Sequence, residues 1–97
     1  MRHPAVIGLV NADGTAWVQI PGATVGLRVT VGNLSGTGTL TATNTAWSCT
    51  GSGTAQLACT VKSEGRLKLR QGGLTSAQPL VVRFPALLGA AVVIPVG

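Results

Sequence analysis

Acidic residues are the scarcest chemistry in this chain of 97 residues: Asp13 and Glu64 stand alone against seven lysines and arginines, a formal net charge of +5. Calcium and magnesium sites want several carboxylate oxygens, so a site of that kind is not expected here. A glycosidase pair would have to recruit both acids at once, and both read instead as exposed turn residues. Histidine occurs once, at His3. A Ser-His-Asp set could be counted out of His3 and Asp13, but His3 sits in a terminal stretch with nothing to hold it, so no catalytic residue, metal or cofactor is expected. Aromatics are limited to Trp17, Trp47 and Phe84, with no tyrosine, so few rings are on offer for stacking on sugars or bases. No window sustains a 3.6-residue apolar repeat, and glycine recurs 14 times, which excludes long helices. Glycine clusters such as "GNLSGTG" lack the following Lys-Ser/Thr and helix of a phosphate loop, and read as turns.

Apolar residues make up 45% of the chain, mostly small aliphatics. A single domain is expected, burying roughly 60–70% of the surface its unfolded chain exposes. The opening "MRHPAVIGLV" is too short and too interrupted by Pro4 and Gly8 for a secretory leader, and reads as a strand. The closing "FPALLGAAVVIPVG" falls short of the about 20 residues of a spanning helix, so no membrane span is expected.

Period-two alternation is the dominant pattern. In "VGLRVTV" Val25, Leu27, Val29 and Val31 share one face; in "RLKLR" Leu67 and Leu69 point inward while Arg66, Lys68 and Arg70 point outward; "AQLACTV" gathers Ala55, Leu57, Cys59 and Val61. Strands are expected near 5–10, 15–20, 24–32, 38–44, 46–50, 55–62, 66–70, 79–84 and 90–96, separated by Gly, Pro and Asn turns. Many short half-buried strands in so short a chain predict an all-β fold, an antiparallel β-sandwich, with a small closed β-barrel as the competing architecture.

Cys49 and Cys59 flank the turn "TGSGTAQLA". Zinc would need two further ligands, and a redox pair would want closer spacing and a helix N-terminus. A structural disulfide fits better: a hairpin turn at residues 52–56 sets Cys49 opposite Cys59 and Trp47 opposite Val61, with both sulfurs on the core side. Such a bond needs an oxidising compartment to persist.

The segments "PGATVGLRVTVGN", "AWSCTGSGTAQLACTV" and "LVVRFPALLGAAVVIPV" resemble the repeat modules of bacterial surface proteins related to CARDB-type immunoglobulin-like domains. The resemblance is carried by Pro21-Gly22, Asn33 and the Trp47-Cys49-Cys59-Thr60 pattern. It implies an immunoglobulin-like sandwich serving outside the cell as a spacer, adhesive or assembly unit, without catalytic residues.

Two surface features are candidates for contact. Lys62, Arg66, Lys68 and Arg70 form a basic stripe suited to a polyanion or an acidic partner, or else the solvated, charge-guarded face of an edge strand. Trp17 is exposed if Val18 and Ile20 face the core, and would then offer a ring to a glycan. Asn33-Leu34-Ser35 matches a glycosylation triplet that also arises by chance. The preferred functional expectation is a non-enzymatic structural or adhesive module of an extracellular or cell-surface assembly, such as a pilus or fibre subunit. Its protein partners, or further copies of itself, would be met through the edge strands Ala5 to Val10 and Ala91 to Val96. A virion decoration or tail protein is the alternative, and a carbohydrate- or polyanion-binding module the third reading.

Overall fold

A computed structural model describes residues 4–43, 46–87 and 89–97; His3 lies outside them. The described residues run through nine strands: β1 (Ile7–Val10), β2 (Thr15–Gln19), β3 (Arg28–Asn33), β4 (Thr39–Ala42), β5 (Trp47–Thr50), β6 (Gln56–Val61), β7 (Leu67–Gly72), β8 (Leu80–Arg83) and β9 (Ala91–Ile94). They form two antiparallel sheets, of order β1-β2-β7-β4 and β5-β6-β3-β8-β9, packed face to face. This is an antiparallel β-sandwich and not a closed barrel. One detail departs from the usual immunoglobulin order. Here β4 joins the four-stranded sheet before the β5-β6 hairpin returns to the edge of the other. Among the described residues no helix is long and apolar enough to cross a membrane.

The period-two pattern does what its physics demands. Val10, Val18, Ile20, Leu40, Leu67 and Leu69 from one sheet meet Val29, Val31, Leu57, Val61, Leu80 and Val82 from the other, and all are buried. Trp47 and Phe84, each 2% exposed, fill the larger gaps in this aliphatic interior. Gly8 lets β1 lie close to that interior, because a β-carbon there would come within 2.5 Å of the Trp17 carbonyl oxygen and 3.1 Å of Ile94 Cγ2.

The strand expected at 24–32 begins only at Arg28. Val25, placed by alternation on the core face, is 71% exposed, because residues 24–27 form a turn in which Leu27 N–H donates to the Thr24 carbonyl. Alternation locates faces only where ladder bonds hold the backbone extended. Ala55 is likewise exposed, in the turn that precedes β6.

Cys49 and Cys59 form the disulfide, with Cα atoms 4.0 Å apart and the expected register: Trp47 opposite Val61, Cys49 opposite Cys59. The bond ties neighbouring strands of one sheet and does not join the layers. Between the layers, besides apolar packing, lies a polar cluster. Gln71 Nε2 donates to Asn33 Oδ1 at 2.9 Å and to the Gln78 carbonyl at 2.7 Å, while Gln78 N–H donates back to Gln71 Oε1 at 3.1 Å. Asn33 Nδ2 donates to the Thr37 carbonyl at 2.9 Å. Asn33 is 4% exposed and both ends of its amide are engaged, so the glycosylation triplet at this position is structural rather than an acceptor.

The outer strands are partly capped by the chain itself. Val10 N–H donates to the Pro95 carbonyl, and Gly97 N–H to the Val10 carbonyl, so the two segments expected to recruit neighbours pair with each other at one end. On the other side, Leu40 exchanges bonds with Thr54 and Gly53, and Ala42 N–H donates to Ser52 Oγ. The β5-β6 turn therefore shields the edge of β4.

Candidate functional site

The basic stripe is not on an edge. β7 lies between β2 and β4, so the reading of Arg66, Lys68 and Arg70 as charges guarding an exposed strand edge is overturned. A central strand has no unpaired backbone to protect, and its outward side chains stand in the middle of a sheet face. Register then decides their neighbours. Lys68 is opposite Trp17 on β2, and Arg70 lies between Thr15 on β2 and Thr41 on β4.

Val18 and Ile20 do face the core, which turns Trp17 outward as the alternation requires. It is nonetheless half-buried, not open. The Arg66 guanidinium lies over its ring, 3.7 Å from the centroid. A ring covered in this way cannot offer that face to a sugar or a base. It acts instead on the arginine: the indole quadrupole attracts the cation and holds it against the ring. The two separate sequence candidates, tryptophan and stripe, are thus one site.

Beside them lies a cleft of about 360 Å³ lined by Asn11, Thr15, Ala16, Trp17, Thr43, Lys68, Leu69 and Arg70. Its end is shaped by the β1-β2 hairpin. There Gly14 takes φ +88°, and the Asp13 carboxylate accepts from both the Thr15 hydroxyl (2.6 Å) and the Thr15 N–H (3.0 Å). Asn11 Nδ2 in turn donates to Thr15 Oγ1 at 3.0 Å. Those two bonds from Thr15, assisted by the nearby Arg70 charge, lower the Asp13 pKa from its ordinary value.

Lys62 is exposed but follows β6 in the opposite sheet, and it is neither in register with the cluster nor part of the cleft. Asn11, Thr15 and Thr43 were not singled out by sequence reasoning. Thr43 carries no local signal at all, since it reaches the cleft only because β4 pairs with β7 and its N–H donates to the Lys68 carbonyl. Two other depressions, of about 190 and 270 Å³, lie beside Gly14 and over Gly32, and neither gathers more than one basic side chain. Among the described residues no three His, Cys, Asp or Glu side chains come together as a metal site would require. Comparison with protein-family models, curated proteins and solved structures yields no match.

Proposed function

We propose that this protein is a non-enzymatic interaction module of an extracellular assembly, docking onto an anionic partner through the outer face of its four-stranded sheet. The observation that carries the reading is the cluster of Arg66 over Trp17, Lys68 in register beside it, and Arg70 one pleat further. Lys68 and Arg70 on the central strand β7, with Arg66 immediately before it, add their fields on a rigid surface. With only two acids in the chain, a second copy offers little complementary charge. The disulfide supports an oxidising location, at a cell surface or on a virion, and the resemblance to surface-protein repeat modules favours the former.

The test is salt-dependent retention on an immobilised polyanion. Binding by three contacts gives a log–log slope that falls by roughly 2 to 2.7 when Arg66, Lys68 and Arg70 are all replaced by Gln. A triple variant that elutes at the same salt concentration as the parent removes the proposal. A second contact mode, strand addition at β5 or β9, is favoured by one observation: these outer strands of the five-stranded sheet carry no charged residue.

A further inference from the structure

We infer that the partner at the β9 edge is β9 of a second copy of this chain, added antiparallel about a two-fold axis at Val92; this rests on the strand-addition reading above and is independent of the basic face. Hydrogen-bond parity shows which groups that edge presents. Leu34 N–H donates to the Pro79 carbonyl and Asn33 lies opposite Leu80, so the bonded pairs between β3 and β8 are Gly32 with Val81 and Thr30 with Arg83. The backbone groups of Leu80 and Val82 therefore point the other way, to Ile94 and Val92 on β9. Those of Ala91 and Val93 are left facing outward. The Pro95 carbonyl, next in this alternation, agrees with that direction, since it accepts from Val10 N–H on the far side of the strand.

Beyond Ile94 the edge is closed, because Pro95 has no N–H to give and Gly97 N–H already donates to the Val10 carbonyl. Among the described residues no strand pairs with Ala91 to Val93 on the outward side, and β1 meets the C-terminal segment through the Val10–Val96 bridge. The open run is short and has both donors and acceptors. It matches itself in one register, with Ala91 opposite Val93 of the second copy, Val92 opposite Val92, and Val93 opposite Ala91, and this register uses every outward group of the run.

The side chains select a second copy as the occupant. β9 carries none of the charges or prolines that guard a strand edge. Five large apolar side chains are exposed among the described residues, and three of them, Ile7, Val93 and Val96, belong to β1, β9 and the segment just after it. In the two-fold register Ala91 and Val93 meet across the axis on the outer face, small against large. Val92, half-buried against the rim of the core, meets its own copy on the inner face and joins the two apolar interiors, which an unrelated strand has no reason to do. Arg83, opposite Ala91 on β8, stays at least about 14 Å from its copy, beyond the screening length at physiological salt. β5, the other outer strand of this sheet, shows Ser48 and Thr50 to solvent, so pairing there buries little apolar surface.

Sedimentation velocity on the disulfide-bonded chain, from micromolar concentration to about 1 mM, tests the inference. The parent is expected to pass from monomer to dimer, and more readily as salt rises, because two chains of like charge repel. The R66Q/K68Q/R70Q variant dimerises at least as well as the parent. Val93→Pro removes an outward donor and no ladder bond, so the variant folds and its dimer Kd rises about tenfold or more. Val93→Lys has the same effect by placing charge beside the axis, and keeps the test open if the proline variant does not fold. Ser48→Lys on β5 leaves the dimer unchanged. Val92→Cys, set opposite itself as Cys49 is set opposite Cys59, forms a covalent dimer in air, whereas Ala91→Cys, too far from its copy, does not. A parent that stays monomeric throughout overturns the inference and leaves strand addition of another peptide standing. A dimer that survives Val93→Lys and is lost in Ser48→Lys overturns the β9 assignment alone, and a dimer indifferent to both variants defeats the strand-addition reading as well.

Discussion

Replacing Trp17 by leucine separates two contributions to polyanion binding that charge counting alone confounds. Leucine keeps an apolar side chain on β2 opposite Leu9 and leaves every cation in place, so the salt slope stays at the parent value. What is lost is the surface 3.7 Å beneath the Arg66 guanidinium. A cation over an indole at an accessible site is worth about 0.5–1 kcal/mol. If that interaction sets the arginine in its binding position beforehand, the variant repays this amount on association, and Kd rises about two- to fivefold. Arg66→Gln acts differently. It removes one charge, lowers the slope by about 0.7–0.9, and weakens binding roughly fivefold at 0.15 M salt. In the double variant the tryptophan has no guanidinium left to hold, so Trp17→Leu costs nothing further on the Arg66→Gln background. The assay is calorimetric titration of a sulfated oligosaccharide at four salt concentrations, with the four proteins forming a double-mutant cycle. Additive losses, or a slope that changes in Trp17→Leu alone, refute the claim that the ring positions the arginine.

Three further outcomes follow from the fold. Gln71→Leu strips Asn33 Oδ1 and both backbone groups of Gln78 of their partners, at roughly 3 kcal/mol, and differential scanning calorimetry should show Tm lower by about 12–24 °C. Replacing Cys49 and Cys59 by alanine opens a loop with a sequence separation of 10, which costs roughly 2–3 kcal/mol in urea unfolding, with the sandwich retained by far-ultraviolet circular dichroism. Because the Asp13 pKa is depressed in the folded state, its contribution is present above the unfolded value and lost as pH falls through the folded one. NMR titration of its carboxyl carbon should therefore give a midpoint below the ordinary aspartate value in the parent, moving back toward it in Thr15→Val.

The parts of this protein that were legible in its sequence are those set by neighbours along the chain. Alternation in Arg28 to Val31, Leu57 to Val61 and Leu67 to Arg70 declared strands and their inner faces, because side chains on an extended backbone must point to opposite sides. The Cys49–Cys59 register was equally local, since one short turn leaves a hairpin few ways to close. The start of β3 was misplaced because the same alternation ran on through a turn that supplies no ladder.

What only the tertiary structure decided is which strands became neighbours. Nothing near Trp17 announces Lys68, and nothing near Arg70 announces Thr41. Those pairings depend on β7 settling between β2 and β4, a choice made by burying Leu67 and Leu69 against the opposite sheet and by Gln71 reaching Asn33 across the interior. The free energy of such contacts is shared among residues distant in the chain. Composition and alternation therefore specified a stapled β-sandwich with outward-facing cations, while long-range packing turned a presumed edge stripe and an isolated tryptophan into a single charged cleft.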